Sequence, residues 1–184
     1  NPEKPHSDYA ISKYGAEIEV FRGQQEGLSV VIANPGVVLG PVFSNSGSGA
    51  LYQAVQKGQP FYTNGSTGFV GVTDVVKALH LMMNSDFEGE KFILVAENST
   101  FKYILDTLSD FFKVKKPRFL VSKNLLTIAS KLDWFWSKVF FRKRKLSLDL
   151  AKSLAENSAF SNQKVREDLG FEFENIAGFI NKSV

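Results

Sequence analysis

The chain opens with a mixed polar and apolar segment that is followed directly by a run of apolar residues. Residues 8–25 lie between a polar, proline-containing start and Gly27, and we expect a helix there, capped by Ser7 or Asp8. Residues 28–33 are almost continuously apolar and β-branched. This pattern predicts a short strand buried on both faces, as in a parallel sheet. A helix that leads directly into a buried strand is typical of an α/β crossover.

Similar patterns recur along the rest of the chain. Further strands are expected at 69–72 and 91–96, and further helices at 50–57, 74–83, 100–112, 124–142, 148–156, 162–169 and 176–181. The segment 37–62 is rich in loop-forming residues. Alternation of helices with buried strands predicts the α/β fold class.

Composition excludes several classes of function. The 184 residues are 43% hydrophobic and 22% charged, with a net charge of +3, which is too small to imply a nucleic-acid partner. The chain has no cysteine, so disulfides, thiolate metal sites and a cysteine nucleophile are excluded. His6 and His80 are far apart in sequence, so no metal site is expected. No uncharged apolar run is long enough to span a bilayer, and we expect a cytoplasmic protein.

Tyr9 and Lys13 form a candidate proton-transfer pair. They stand four residues apart on the first predicted helix, so the phenol and the ammonium emerge on the same face. A tyrosine side chain ordinarily has a pKa of about 10, which is too high for acid–base work at neutral pH. A neighbouring cation favours the phenolate and lowers that pKa toward the working range.

Three motifs follow this pair in a fixed order. They read NPGVVLGP at 34–41, FVGVTDVV at 69–76 and NQKVREDLGF at 162–171. Together with Tyr9-x-x-x-Lys13, the series resembles the extended short-chain dehydrogenase/reductase superfamily, the NAD-dependent epimerases/dehydratases, in its dihydroflavonol reductase and 3β-hydroxysteroid dehydrogenase branch. The order of the motifs carries the resemblance, because Tyr-x-x-x-Lys alone often arises by chance.

The resemblance implies a fold and a division into domains. Residues 1–40 and 72–97 would be the C-terminal part of a Rossmann-like parallel sheet that binds NAD(P). Residues 41–71 and 98–184 would form a small, mostly helical substrate domain. The implied partners are a small carbonyl or alcohol substrate and a second copy of the chain, packed through the Tyr9 helix.

The resemblance also implies roles for individual residues. Tyr9 would be the general acid/base at the substrate carbonyl or carbinol, and Lys13 would bind the nicotinamide ribose. The coenzyme, NADP or NAD, would contact the loop after the first strand through Pro35, Gly36, Val37 and Val38. The implied substrate contacts are Asn45 and Ser46.

In that family a glycine-rich turn and a catalytic Ser or Thr lie upstream of the tyrosine, and here eight residues precede Tyr9. We therefore expect an NAD(P)-dependent oxidoreductase or epimerase present as an incomplete, inactive chain that does not bind coenzyme tightly. The alternatives are a non-catalytic coenzyme-binding regulator and a protein-interaction domain without coenzyme.

One segment imitates the missing turn. Residues 65–71 read Gly-x-x-Gly-x-x-Gly, but they follow the tyrosine motif, the preceding segment is short and polar, and Thr73 or Asp74 is expected to cap the next helix. A true fingerprint needs a strand that feeds into the turn and a helix that starts inside it. We interpret this segment as a chance match.

The predicted helix at 124–142 is unusually aromatic. Leu125, Ile128, Leu132, Phe135, Trp136 and Val139 recur at three- and four-residue steps, which predicts a stripe that faces the core. Trp134, Phe140 and Phe141 lie beside it and could line a substrate pocket or a subunit contact. The basic run at 142–145 suits a solvated helix end. Alternatively, the helix could rest on an anionic membrane surface.

Overall fold

A computed structural model describes residues 8–40, 47–142 and 146–182. Within these ranges the helices are α1 (Asp8–Gln25), α2 (Gly47–Gln56), α3 (Val72–Met83), α4 (Phe101–Phe112), α5 (Lys123–Val139), α6 (Leu148–Ser153), α7 (Gln163–Leu169) and α8 (Ile176–Lys182). The strands are β1 (Val31–Pro35), β2 (Val37–Leu39), β3 (Phe61–Tyr62), β4 (Ser66–Gly71), β5 (Glu90–Leu94), β6 (Glu97–Thr100) and β7 (Phe119–Leu120).

The strands form three small sheets that are dominated by parallel pairs. β1 and β5 run parallel, with Val31 opposite Glu90 and Pro35 opposite Leu94. β2 runs parallel to β4, which pairs on its other edge with antiparallel β6. β3 and β7 form the third, parallel pair. Parallel strands connected through helices confirm the predicted α/β fold class.

The first strand differs from its prediction in position and burial. It covers Val31–Pro35 rather than 28–33. Its first three residues are half-buried and its last two are exposed, so it is not buried on both faces. In the described part of the chain β5 is its only strand neighbour, and α1 contributes no buried side chain. In β5 the side chains of Phe92 and Leu94 are fully buried while Lys91 and Ile93 are exposed, so this sheet has one covered face.

Two hydrophobic clusters make up the core. One lies under β1 and β5 and reaches the C-terminal α7, with the buried residues Ala78, Met82, Phe92, Leu94, Val165 and Phe171. The other lies between β2, β4, α2, α4 and α8, with the buried residues Leu39, Tyr52, Val55, Phe69, Ile104, Leu105, Leu108, Ile176, Phe179 and Ile180. The division into a Rossmann part and a substrate domain stays a prediction beside these two clusters.

α4 forms as its sequence predicts. The Thr100 hydroxyl accepts a hydrogen bond from the Tyr103 N–H at 3.1 Å, which satisfies a donor of the first turn. Ile104, Leu105 and Leu108 share the buried face that their spacing predicts. The helix is therefore fixed by both its cap and its apolar stripe.

α5 is oriented opposite to its prediction. The stripe expected to face the core is exposed, and each of its members is between 46% and 55% exposed: Leu125, Ile128, Leu132, Phe135, Trp136 and Val139. The row that faces inward is Leu126, Ser130, Asp133 and Ser137. The Asp133 carboxylate accepts hydrogen bonds from the Leu146 N–H at 2.9 Å and from Arg142 at 3.1 Å. These bonds tie the polar row to the following segment, so the apolar stripe is left outside.

Candidate active site

The predicted pair lies at the start of α1. Tyr9 is in the first turn of the helix, and the Lys13 Nζ is 5.9 Å from the centre of the Tyr9 ring. The Tyr9 side chain is 73% exposed. The spacing of four residues thus brings the phenol and the ammonium together on one open face, as the sequence predicts.

Contacts in the later turns of α1 show where this face lies relative to the sheet. Glu17 forms an ion pair with Lys91, the second residue of β5, and the Lys91 Nζ lies 4.6 Å from the centre of the Phe21 ring. Tyr9 precedes Glu17 by about 12 Å along the helix axis. Because α1 leads into the start of β1, which is parallel to β5, we infer that Tyr9 lies toward the carboxyl ends of these strands. Ligands of parallel α/β sheets bind at these ends.

The loop after β1 is packed tightly at the same ends. The Gly36 N–H donates a hydrogen bond to the Leu94 carbonyl at 3.0 Å, so the loop is joined to the last residue of β5. A Cβ at position 36 would lie 2.4 Å from the Gly68 carbonyl oxygen, so only glycine fits. Gly36 therefore serves a close backbone approach rather than an unusual φ angle.

The remaining predicted coenzyme contacts flank this glycine. Pro35 is exposed, and Val37 and Val38 belong to β2, opposite Phe69 and Val70 of β4. β2 is an edge strand of the described sheet, so its second edge is not used by a neighbouring strand there. The backbone on that edge has the groups that a ligand could bind. The predicted substrate contacts Asn45 and Ser46 lie outside the described residues.

Residues 66–71 of the Gly-x-x-Gly-x-x-Gly segment form strand β4 and not a phosphate-binding turn. Gly68 and Gly71 both lie in β4, which pairs with β2 and β6. A Cβ on Gly68 would lie 2.6 Å from Val95 Cγ2, and one on Gly71 would lie 2.5 Å from the Phe179 ring. Both glycines are therefore needed for packing inside the protein, which supports the interpretation as a chance match.

The helix after this segment starts earlier than its sequence predicts. α3 begins at Val72 with Gly71 at its N-cap position, so the expected cap by Thr73 or Asp74 is wrong. Asp74 is buried in the first turn, where its carboxylate accepts the Glu174 N–H at 2.7 Å and an amine hydrogen of Lys77 at 3.2 Å. Asp74 thus ties α3 to the segment before α8.

Two asparagines for which the sequence predicted no contact attach the segment before α7 to the strands. The Asn98 side-chain amide donates a hydrogen bond to the Phe160 carbonyl, and its side-chain oxygen accepts one from the Phe160 N–H, each at 2.9 Å. The Asn162 amide donates to the Val95 carbonyl at 2.7 Å, directly after β5. The partners are 62 and 67 residues apart, so no local sequence signal could have indicated these contacts.

Neither a metal centre nor a membrane span is found in the part of the chain that the structure describes. No three His, Asp or Glu side chains there are grouped so that they could hold a metal ion. None of the helices described is both long and apolar enough to cross a bilayer.

Comparison with known proteins gives relatives that extend over nearly the whole chain. It is 26% identical over 174 residues to sterol demethylase protein B of Methylococcus capsulatus, covering 92% of this chain and 53% of the relative. It is 28% identical over 185 residues to a putative dihydroflavonol 4-reductase of Synechocystis, covering 95% and 52%. The chain thus spans about half the length of the curated relatives it matches.

The fold and the family are both represented among known proteins. The structure resembles a nucleoside-diphosphate-sugar epimerase from Pseudomonas aeruginosa with a TM-score of 0.76 at 18% identity, covering 100% of this chain and 56% of that one, which shows a shared fold. The family model for the NAD dependent epimerase/dehydratase family matches residues 1–95, more than half of the chain. That range contains the Tyr9–Lys13 pair and the loop after β1, so the chain belongs to the NAD dependent epimerase/dehydratase family.

Proposed function

We propose that the protein is an NAD(P)-dependent oxidoreductase that reduces a ketone or oxidises a secondary alcohol, with Tyr9 as its proton donor and acceptor. The observation that carries the proposal is the Lys13 ammonium 5.9 Å from the centre of the exposed Tyr9 ring. Membership of an NAD-dependent family supports the coenzyme class. The name of the Synechocystis relative supports reductase chemistry over epimerase or dehydratase chemistry.

The Tyr9 hydroxyl would exchange a proton with the substrate oxygen. In the reducing direction it donates to the oxygen that becomes a hydroxyl, and in the oxidising direction it accepts that proton. Negative charge then forms on the phenol oxygen, and the Lys13 ammonium provides a positive charge beside it. The high exposure of Tyr9 leaves the hydroxyl free to reach a ligand from solvent.

The loop after β1 fits the nicotinamide end of a coenzyme. Val37 and Val38 offer backbone groups on the edge strand β2, and Pro35 and Gly36 lead into it at the end of the sheet toward which Tyr9 lies. Lys13 would also bind ribose hydroxyls. When bound, the nicotinamide supplies or accepts the hydride, and the chain's own residues supply position and the proton.

Residues 1–40 and 72–97 would contribute later strands of the coenzyme sheet, and residues 41–71 and 98–184 would form the substrate domain. The two parts would share their cores, because Val165 and Phe171 pack in the cluster under β1 and β5, and Leu39 packs in the cluster of α2, α4 and α8. A homodimer through α1 belongs to the same proposal. Its support is the exposure of Ile11 and Ile18 on that helix.

Replacement of Tyr9 tests the proposed chemistry. In the protein expressed from its whole reading frame, Tyr9→Phe should lower kcat by at least about 100-fold, because it removes the transferred proton. Coenzyme affinity should stay unchanged, since the ring and Lys13 remain. Turnover is followed by NAD(P)H absorbance on a panel of ketones and secondary alcohols that includes sterols and dihydroflavonols.

Tyr14→Phe is the matched control, because Tyr14 is exposed on the same helix but five residues from Tyr9. It should leave turnover unchanged. Lys13→Met should weaken coenzyme binding as well as turnover. Coenzyme binding with no turnover on the whole panel would favour the non-catalytic regulator, and equal activity of the Tyr9→Phe and Tyr14→Phe variants would refute the role of Tyr9.

The 184-residue chain by itself should neither bind coenzyme tightly nor turn over substrate. The physical reason is that α1, which carries the pair, contributes no buried side chain, so the pair is not held rigidly. Isothermal titration with NADP and NAD measures this directly. Micromolar binding of NADP or NAD to the 184-residue chain would contradict the expectation that this chain does not bind coenzyme tightly.

A further inference from the structure

The outer side of α5 is a continuous apolar surface. We define the α5 aromatic face by its members, each between 46% and 62% exposed: Leu125, Ile128, Leu132, Phe135, Trp136, Val139 and Phe140. The Trp136 and Phe140 rings stack with their centres 5.2 Å apart, so the face is ordered within the helix. A surface of this kind on a helix usually marks an interaction site.

The contacts on the inner side of α5 fix the orientation of the helix, so the aromatic face is on the outside in the folded protein. Ser130 is fully buried and Asp133 is anchored by Arg142 and the Leu146 N–H. A half-turn rotation that buried the aromatic face would expose Leu126 and break both Asp133 bonds. The polar row therefore holds the apolar residues outward.

Positive charge lines the same helix. At 100° per residue, Lys131 and Lys138 lie together on one flank of the aromatic face. Asp133 is the single acidic residue of α5, and it is turned inward and paired with Arg142. The sequence continues Lys-Arg-Lys after Arg142. The aromatic face is therefore bordered by lysine side chains, and α5 has no carboxylate on its outer side.

An additional aromatic ring projects from the end of α5. Phe141 is 97% exposed and has a φ of 50°, a conformation that bulky residues rarely adopt. Glycine or asparagine is the ordinary residue at such a helix end. Phe141 is unfavourable in water because its ring is solvated and because its backbone is in the left-handed region. Contact of the ring with an apolar phase would offset part of the cost of solvation.

We propose that α5 binds in the interface of an anionic lipid bilayer, with its aromatic face toward the acyl chains. Interfacial helices have Lys or Arg on a polar side and Trp, Phe and Leu on the other, and Trp is enriched at the membrane–water interface. Charge complementarity favours anionic lipid, because the Lys131 and Lys138 ammonium groups would meet lipid headgroups of opposite charge. α5 would lie along the surface, because this orientation keeps Lys131, Lys138 and its buried polar row out of the acyl chains.

Vesicle co-sedimentation of the protein expressed from its whole reading frame tests this proposal. We expect binding to phosphatidylcholine vesicles that contain phosphatidylglycerol and weaker binding to phosphatidylcholine alone. Lys131→Gln/Lys138→Gln should weaken binding to the anionic vesicles by about 30-fold and leave binding to the neutral ones unchanged. Trp136→Ser/Phe140→Ser should weaken binding to both by at least about tenfold.

Each variant has a matched control elsewhere on the surface. Lys57→Gln/Lys115→Gln removes the same charge from exposed positions outside α5, and Leu79→Ser/Met83→Ser removes exposed apolar side chains at the same four-residue spacing on α3. Both should bind vesicles like the parent protein. A thermal melt of every variant excludes misfolding.

Three results would overturn the proposal. These are absence of binding to anionic vesicles, α5 variants that bind as well as their controls, and α5 variants that dissociate a dimer in sedimentation velocity while no vesicle binding is seen. The last result would assign the aromatic face to contact between copies. The measurement needs no substrate or coenzyme, so it is independent of the proposed function.

Discussion

At the scale of single residues, the candidate site depends on a close contact between three backbone segments. Gly36 in the loop after β1, Gly68 in β4 and Val95 after β5 lie against one another, with no room for a Cβ on either glycine. The Val95 carbonyl also accepts the Asn162 amide. The position of the proposed coenzyme loop is therefore fixed by packing that lies entirely within the protein.

Gly68→Ala should destabilise the protein through Val95. The added Cβ would lie 2.6 Å from Val95 Cγ2 and 2.8 Å from Cγ1, so the overpacking should cost about 1–3 kcal/mol. Val95→Ala removes both clashing methyl groups. The double variant should then be more stable than the sum of the two single losses predicts, by about 1 kcal/mol. Urea unfolding followed by circular dichroism measures the four proteins.

Gly15→Ala is the control for the backbone effect of the substitution. Gly15 lies in α1, and a Cβ added there would meet nothing within 4 Å, so alanine should stabilise the helix by about 0.5–1 kcal/mol. Additive losses for Gly68→Ala and Val95→Ala would show that Val95 is not the residue that excludes a side chain at position 68.

At the scale of elements, the end of α5 offers a direct test of strain. Phe141 has a φ of 50°, so Phe141→Gly should relieve the left-handed conformation and raise stability by about 1 kcal/mol. Phe140→Gly, at a φ of −102°, gains no such relief and should be neutral or destabilising. Thermal melts in buffer compare the two variants. An unchanged or lower Tm for Phe141→Gly would show that the strain is absent in solution.

The elements differ in how much of them could be predicted from sequence. α4 was predictable because its cap, Thr100, and its buried leucines are local signals. α5 was located correctly, but its buried side was predicted wrongly. Its orientation depends on Asp133, and the two partners of Asp133, Arg142 and the Leu146 N–H, lie outside the helix. β2, β3, β6 and β7 were missed, because strands of two to four residues gain their identity from pairing with another strand and not from their own pattern.

The candidate site was predictable only in part for the same reason. The Tyr9–Lys13 pair follows from helical spacing, and the structure brings these two side chains together. The roles of Pro35, Gly36, Val37 and Val38 as coenzyme contacts stay predictions. The contacts of Asn98 and Asn162 could not be predicted, because each joins segments more than sixty residues apart.

At the scale of the whole molecule, the helices differ in how many side chains they bury. α4 and α8 pack into a cluster with many fully buried side chains, whereas α1 has none. The contacts of α1 with the sheet include the Glu17–Lys91 ion pair and the packing of Lys91 on Phe21. The Tyr9–Lys13 pair, which lies within the range that matches the family, is thus carried by the least buried long helix of the described chain.

This unevenness predicts different hydrogen-exchange rates within the 184-residue chain. A helix that buries no side chain depends on its own marginal propensity, so the amides of α1 should exchange at least about 100-fold faster than those of α4. Phe21→Ser should accelerate exchange in α1 further and leave α4 unchanged, because Phe21 touches Lys91 and not the second cluster. Exchange measured by mass spectrometry on peptides from both helices gives the comparison. Equal protection of α1 and α4 would mean that α1 is held by contacts stronger than the Glu17–Lys91–Phe21 set, and the Tyr9–Lys13 pair would then be rigid in the 184-residue chain.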